Sequence, residues 1–196
     1  MLLESSGSAV QVRHLLAGRE RIDLGERISA EVIESPGHTA GSVTFVVRPD
    51  AIALVGDAIQ GLGGGSGLPL YADPGAYGAS LMRIADLDVS AVGMGHAFRS
   101  AHRGDRWPIV PRAVLRSLAE ESAAFPRAAT EIAASVIAST PPSTSDAVLG
   151  FLRRLPPPFE TPAVDLETIG SASLVAALVH LDRATAQTGT APSAPR

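Results

Sequence analysis

The stretch that most constrains the fold is Ser35-Pro36-Gly37-His38-Thr39-Ala40-Gly41-Ser42. It interrupts two apolar runs. Before it, Ile28, Ala30 and Val32 alternate with polar neighbours, the period-2 signature of a strand. After it, residues 43–47 are rich in β-branched side chains and predict a second strand. Pro36 and Gly37 end the first strand and force a tight turn, which places His38 on a rigid corner between strands. A lone Gly-His pair would carry no functional weight. This one is followed by Val55-Gly56-Asp57-Ala58 and Gly93-Met94-Gly95-His96, each at the end of a further short apolar run. An imidazole, a carboxylate and a second imidazole, each just past a strand, suit a zinc-like ion.

The connecting residues agree with this reading. Arg48-Pro49-Asp50 is a turn signal between strands at 43–47 and 52–55, so one hairpin brings His38 and Asp57 to the same sheet edge. Residues 74–87 predict a helix, with Asp73 as its N-cap and Pro74 at its first position. Residues 89–94 then predict a buried strand ending at His96, and strand–helix–strand order favours α/β layering. The glycine-rich segment 60–70 lacks the Gly-Lys-Ser/Thr of a phosphate loop and is either a flap over the site or a linker.

Pro36-Gly37-His38-Thr39-Ala40-Gly41-Ser42, Gly56-Asp57-Ala58 and Gly95-His96, in this order, resemble the second half of the metallo-β-lactamase fold superfamily. The resemblance covers residues 10–104. It implies an α+β fold, the C-terminal half of an αββα sandwich, followed here by a helical tail. It also implies metal-dependent hydrolysis, in which two metals hold a bridging hydroxide. Carried over by position, His38 binds one metal, Asp57 bridges both and has the catalytic role, and His96 binds the second. One or two zinc ions are the implied cofactor, and a small ester or thioester is a substrate the fold accommodates. The departure is equally clear. The superfamily's first half carries His-x-His-x-Asp-His, and no His-x-His occurs in this sequence. The expectation is therefore a truncated or incomplete site, weakly active or inactive alone. The alternatives are a degenerate, non-catalytic module, or a half-domain completed by a partner chain, and the expected partner is a complementing N-terminal half or a further copy in a homo-oligomer.

Composition narrows the remaining classes. The chain has 196 residues, 45% of them hydrophobic and 18% charged, which is enough apolar material for a core. There is no cysteine, so any metal must be held by histidine and carboxylate. A net charge of −4 disfavours nucleic acid as a partner. No signal-peptide pattern or membrane-length apolar run is present, and the expected location is cytoplasmic.

The sequence divides into a partial metallo-β-lactamase-like domain at 1–104, a helical, loosely winged-helix-like region at 105–188, and a disordered tail at 189–196. Within the helical region, helices are expected at 111–124, 127–138, 145–155 and 166–186. A weak strand is expected at 9–16. His14 and His102 read as solvated histidines, and His180, between Val179 and Leu181, as a residue at the edge of a core.

Overall fold

The computed structural model describes residues 14–64, 67–141, 143–160 and 170–189. The expected strand at 9–16 lies mostly outside them, as do the start of the last helix at 166–169 and the tail at 190–196. Six strands form one sheet in the order β1-β2-β3-β4-β5-β6. The strands are β1 (Arg21–Gly25), β2 (Ile28–Glu34), β3 (Val43–Arg48), β4 (Ile52–Gly56), β5 (Ala91–Met94) and β6 (Ile109–Pro111). The helices are α1 (Pro74–Ala85), α2 (Arg112–Ala138), α3 (Thr144–Arg153) and α4 (Ser171–Thr188). The expected α+β architecture is thus present.

β1 to β4 form an antiparallel meander, and β5 lies parallel to β4. Parallel pairing requires a crossover, and α1 lies in the connection between β4 and β5. Its N-terminus forms as the sequence predicts: the Asp73 side chain accepts from the Ala76 N–H at 3.0 Å. That hydrogen bond, with Arg183 nearby, holds the Asp73 carboxyl below the usual carboxylate range.

Facing residues across the ladder decide which side is covered. Val46 pairs with Ala53, Ala53 with Val92, and Val92 with Val110. All four are buried in one apolar cluster that also takes in Leu81, Leu118, Phe125, Phe151 and Leu181 from the four helices. The opposite side carries Phe45, Leu54, Gly93 and Ile109 in register across β3, β4, β5 and β6. Leu54 is 47% exposed and Ile109 50% exposed.

Four local expectations are corrected. First, helices expected at 111–124 and 127–138 are one helix, α2, running through Pro126. An interior proline costs about 3 kcal/mol in a helix, but Phe125, Pro126 and Ala129 are all buried, so packing on both sides of the break offsets the lost N–H. Second, residues 109–111 form β6, a strand not expected from the sequence, and the helix expected from 111 begins at Arg112 with Pro111 as its N-cap. Third, the segment 18–24, whose residues read as turn signals before the strand at 28, contains most of β1, which backbone pairing to β2 defines. Fourth, Gly170 is extended at the N-cap of α4 and does not lie within the helix. Among the described residues, no helix is long and apolar enough to cross a membrane.

Candidate functional site

His38 projects from the loop between β2 and β3. The corner is closed by its own polar residues: Ser35 N–H donates to Ser42 O at 2.9 Å, and Thr39 N–H to Ser42 Oγ at 3.0 Å. The turn also packs tightly on α1. A Cβ on Gly37, whose φ is +141°, would fall 2.4 Å from Tyr77 Cα, so only glycine fits there. Gly37 O in turn accepts from the N–H groups of Ala72 and Asp73, at 2.8 and 3.1 Å.

Asp57 follows β4, and His96 follows β5. Because β4 and β5 are parallel neighbours, their C-terminal ends meet: Gly56 pairs with Met94, and Gly95 N–H donates to Gly56 O at 2.9 Å. A Cβ on Gly95 would lie 2.8 Å from Asp57 Oδ1, so this glycine makes room for the carboxylate.

The three side chains named from the sequence therefore come together. His96 Nδ1 lies 2.7 Å from Asp57 Oδ1, and His38 Nε2 lies 3.7 Å from Asp57 Oδ2. The carboxylate sits between two imidazoles. Their surroundings differ: the His96 side chain is 70% exposed and edge-on to Phe98, whereas His38 and Asp57 are partly buried.

Hydrogen-bond chemistry fixes the protons. His38 Nδ1 lies 2.7 Å from Leu70 O. A carbonyl only accepts, so Nδ1 carries the proton, and in the neutral ring the Nε2 lone pair faces Asp57. At 3.7 Å, Nε2 and Oδ2 are too far apart for a hydrogen bond. Two donors bound at ~2.0–2.2 Å to one ion can, however, stand that far apart. His96 differs, because its 2.7 Å contact is a direct N–H···O hydrogen bond that occupies Nδ1 and leaves Nε2 toward solvent.

The donor types thus suit a divalent cation, but the arrangement is not a finished site. Among the described residues, no group of three or more His, Cys, Asp or Glu side chains is placed to hold a metal ion.

The other histidines lie in different settings. His14 is exposed and bonded to Glu20 Oε1 at 2.6 Å. His102 is half-buried, and its backbone N–H donates to Ser100 Oγ at 2.9 Å. His180, expected at a core edge, is only 2% exposed. Its Nε2 lies 2.8 Å from Tyr71 Oη, and the rings of Phe125 and Phe151 flank it. Burial, with Arg183 nearby, lowers its pKa to about 4. Burial also pushes the Tyr71 and Tyr77 hydroxyls far above their ordinary value.

Sequence reasoning passed over Gln60. Its one local signal is a polar side chain closing the apolar run Ala58-Ile59 just after Asp57. In the fold it is 2% exposed, with its amide turned onto Leu70. The glycine-rich segment around it is a packed loop over its described residues. Leu62 N–H donates to Arg99 O, and Arg99 N–H to Gly63 O, both at 2.8 Å.

No family model and no curated protein matches the sequence. Solved structures do. One is a metallo-β-lactamase family protein from Thermus thermophilus, 21% identical, with a TM-score of 0.58 over 89% of this chain and 49% of that one. Another is a β-lactamase domain protein from Burkholderia ambifaria, 17% identical, with a TM-score of 0.55 over 92% of this chain and 49% of that one. At such identities the likeness speaks for the fold, and the chain spans about half the length of these structures.

Proposed function

We propose, from a chain that has the metallo-β-lactamase fold, that it contributes His38, Asp57 and His96 to the metal centre of a hydrolase acting on small esters or thioesters. The observation that supports this best is the convergence of the three side chains. They come from three strand ends, 19 and 39 residues apart in sequence, yet Asp57 lies within 3.7 Å of both imidazoles. A bound divalent ion such as zinc would lower the pKa of its water to ~7 and polarise a substrate carbonyl. The chain's own part is to orient the donors. Leu70 O holds His38 with Nε2 toward Asp57, and Gly95 lets the carboxylate lie against the β4–β5 end. His96, with Nδ1 donating to Asp57, would offer its Nε2 lone pair.

A catalytic zinc usually takes three protein ligands and a water, so the remaining donors would come from another polypeptide segment. The open sheet face favours a half-domain completed in this way. Leu54, Gly93 and Ile109 form an exposed apolar row against which a second layer of strands would pack at about 10 Å. A non-catalytic interaction module is the rival reading.

Zinc titration by calorimetry separates the two. Weak binding that is lost in Asp57→Ala and His38→Ala supports the metal reading, and binding unchanged by both substitutions sinks it. Sedimentation tests the face. Association that is weakened by Leu54→Ser is expected, while a strictly monomeric parent chain would argue against a completed half-domain.

A further inference from the structure

We infer that Gln60 is a positioning residue that sets the tautomer of His38, and that it does so through the backbone of Leu70. This rests on the metal reading above for its consequence, but not for its geometry.

Both ends of the Gln60 amide are committed to one residue. Oε1 accepts from Leu70 N–H at 2.8 Å, and Nε2 donates to Leu70 O at 2.6 Å. The second contact fixes which way the amide points. Leu70 O also accepts from His38 Nδ1 at 2.7 Å, so both lone pairs of this carbonyl are used. Gln60 Nε2 and His38 Nδ1 stand 3.4 Å apart as two donors on one acceptor. Gln60 therefore acts on His38 without sharing a proton with it: it clamps the carbonyl to which the imidazole must donate. A carbonyl oxygen held in place and aimed at Nδ1 leaves the Nε2 lone pair as the free donor toward Asp57. Groups that orient a metal-binding histidine in this way typically change metal affinity by about 10–100-fold when removed.

The clamp is itself supported from the helical region. Gln60 N–H donates to Tyr77 Oη at 3.2 Å. Ser122 of α2 interacts with the Tyr77 hydroxyl and accepts from Gly61 N–H at 2.9 Å. The residue after Leu70 is locked as well: Tyr71 stacks on Tyr77 with ring centres 4.8 Å apart and bonds to His180 of α4. Two consecutive residues, Leu70 and Tyr71, are thus pinned by Gln60 and His180. A flexible loop could not hold a carbonyl against an imidazole in this way; this loop is fixed at the point that matters.

The test reads the proton directly. Imidazole nitrogen shifts are measured in 15N-labelled protein without metal, at a pH where histidine is neutral. In the parent chain, His38 should be the Nδ1–H form. Gln60→Met, similar in size but without the amide, should shift His38 toward Nε2–H and leave the His96 tautomer unchanged. Gln60→Leu, which lacks both the acceptor for Leu70 N–H and the donor to Leu70 O, should shift it in the same direction. An Nε2–H form in the parent chain overturns the inference, whatever the variants do. An unchanged tautomer in a folded Gln60 variant overturns it as well. Zinc affinity measured by competition with a chromophoric chelator should fall about 10–100-fold in Gln60→Met. If no His38-dependent zinc binding exists, the metal reading fails, and the tautomer measurement still decides the role of Gln60.

Discussion

The chain uses histidine in two opposite ways. At the sheet edge, His38 and His96 flank a carboxylate, and His96 is largely open to water. In the helical region, His180 is sealed among Tyr71, Phe125 and Phe151, with no carboxylate among the partners described for it. The first environment keeps nitrogen lone pairs within reach of a cation or proton. The second removes water and favours a neutral ring whose nitrogens serve as hydrogen-bond partners in the core. What an imidazole does therefore follows from its desolvation and its neighbours, and the difference is open to measurement.

The largest expected effect lies on the buried side. Phe125 is fully buried and touches the rings of Tyr71, Phe159 and His180. Phe125→Ala should cost about 3–5 kcal/mol of unfolding free energy by denaturant titration. A cost below about 1 kcal/mol would mean that the aromatic cluster is not a close-packed core.

The next effect is the acid response of His180. Its folded pKa is depressed to about 4, while the unfolded chain titrates at the ordinary value of about 6.5. Between these values the unfolded state binds more protons, so the stabilisation present above the unfolded pKa is lost as pH falls through that window. The full loss is about 3 kcal/mol. Thermal melts of the parent chain should fall in that range by more than those of His180→Gln. Equal slopes would show that His180 is not held neutral by the core.

The smallest effect on stability belongs to the sheet edge. His96→Ala removes an exposed ring and one hydrogen bond at the surface. Its effect on unfolding free energy should stay within about 0.5 kcal/mol, whereas zinc binding should weaken clearly. A large loss of stability would place His96 with His180 as a structural residue.

Sequence information runs out where an element is defined by its partner. β2 to β5 and α1 are legible because each is specified locally, by apolar alternation, the Arg48-Pro49-Asp50 turn and the Asp73 cap. β1 and β6 are not. The first is short and charged and the second has three residues, so pairing with β2 and β5 defines them more than their own composition does. The break expected at Pro126 fails because local propensity is weaker than burial on both sides of it.

The sequence by itself determined that His38, Asp57 and His96 each follow a strand, and that glycines precede all three. Those are properties of short windows. The Arg48-Pro49-Asp50 turn already points His38 and Asp57 to one sheet edge, but the tertiary structure sets His96 against Asp57, because the parallel pairing of β4 with β5 is a contact between distant residues. Tertiary structure alone decided that His180 lies in the core and that the amide of Gln60 turns onto Leu70. The proton on His38 was decided there too. A tautomer depends on which acceptor lies within hydrogen-bond reach, and that acceptor is a backbone carbonyl 32 residues away.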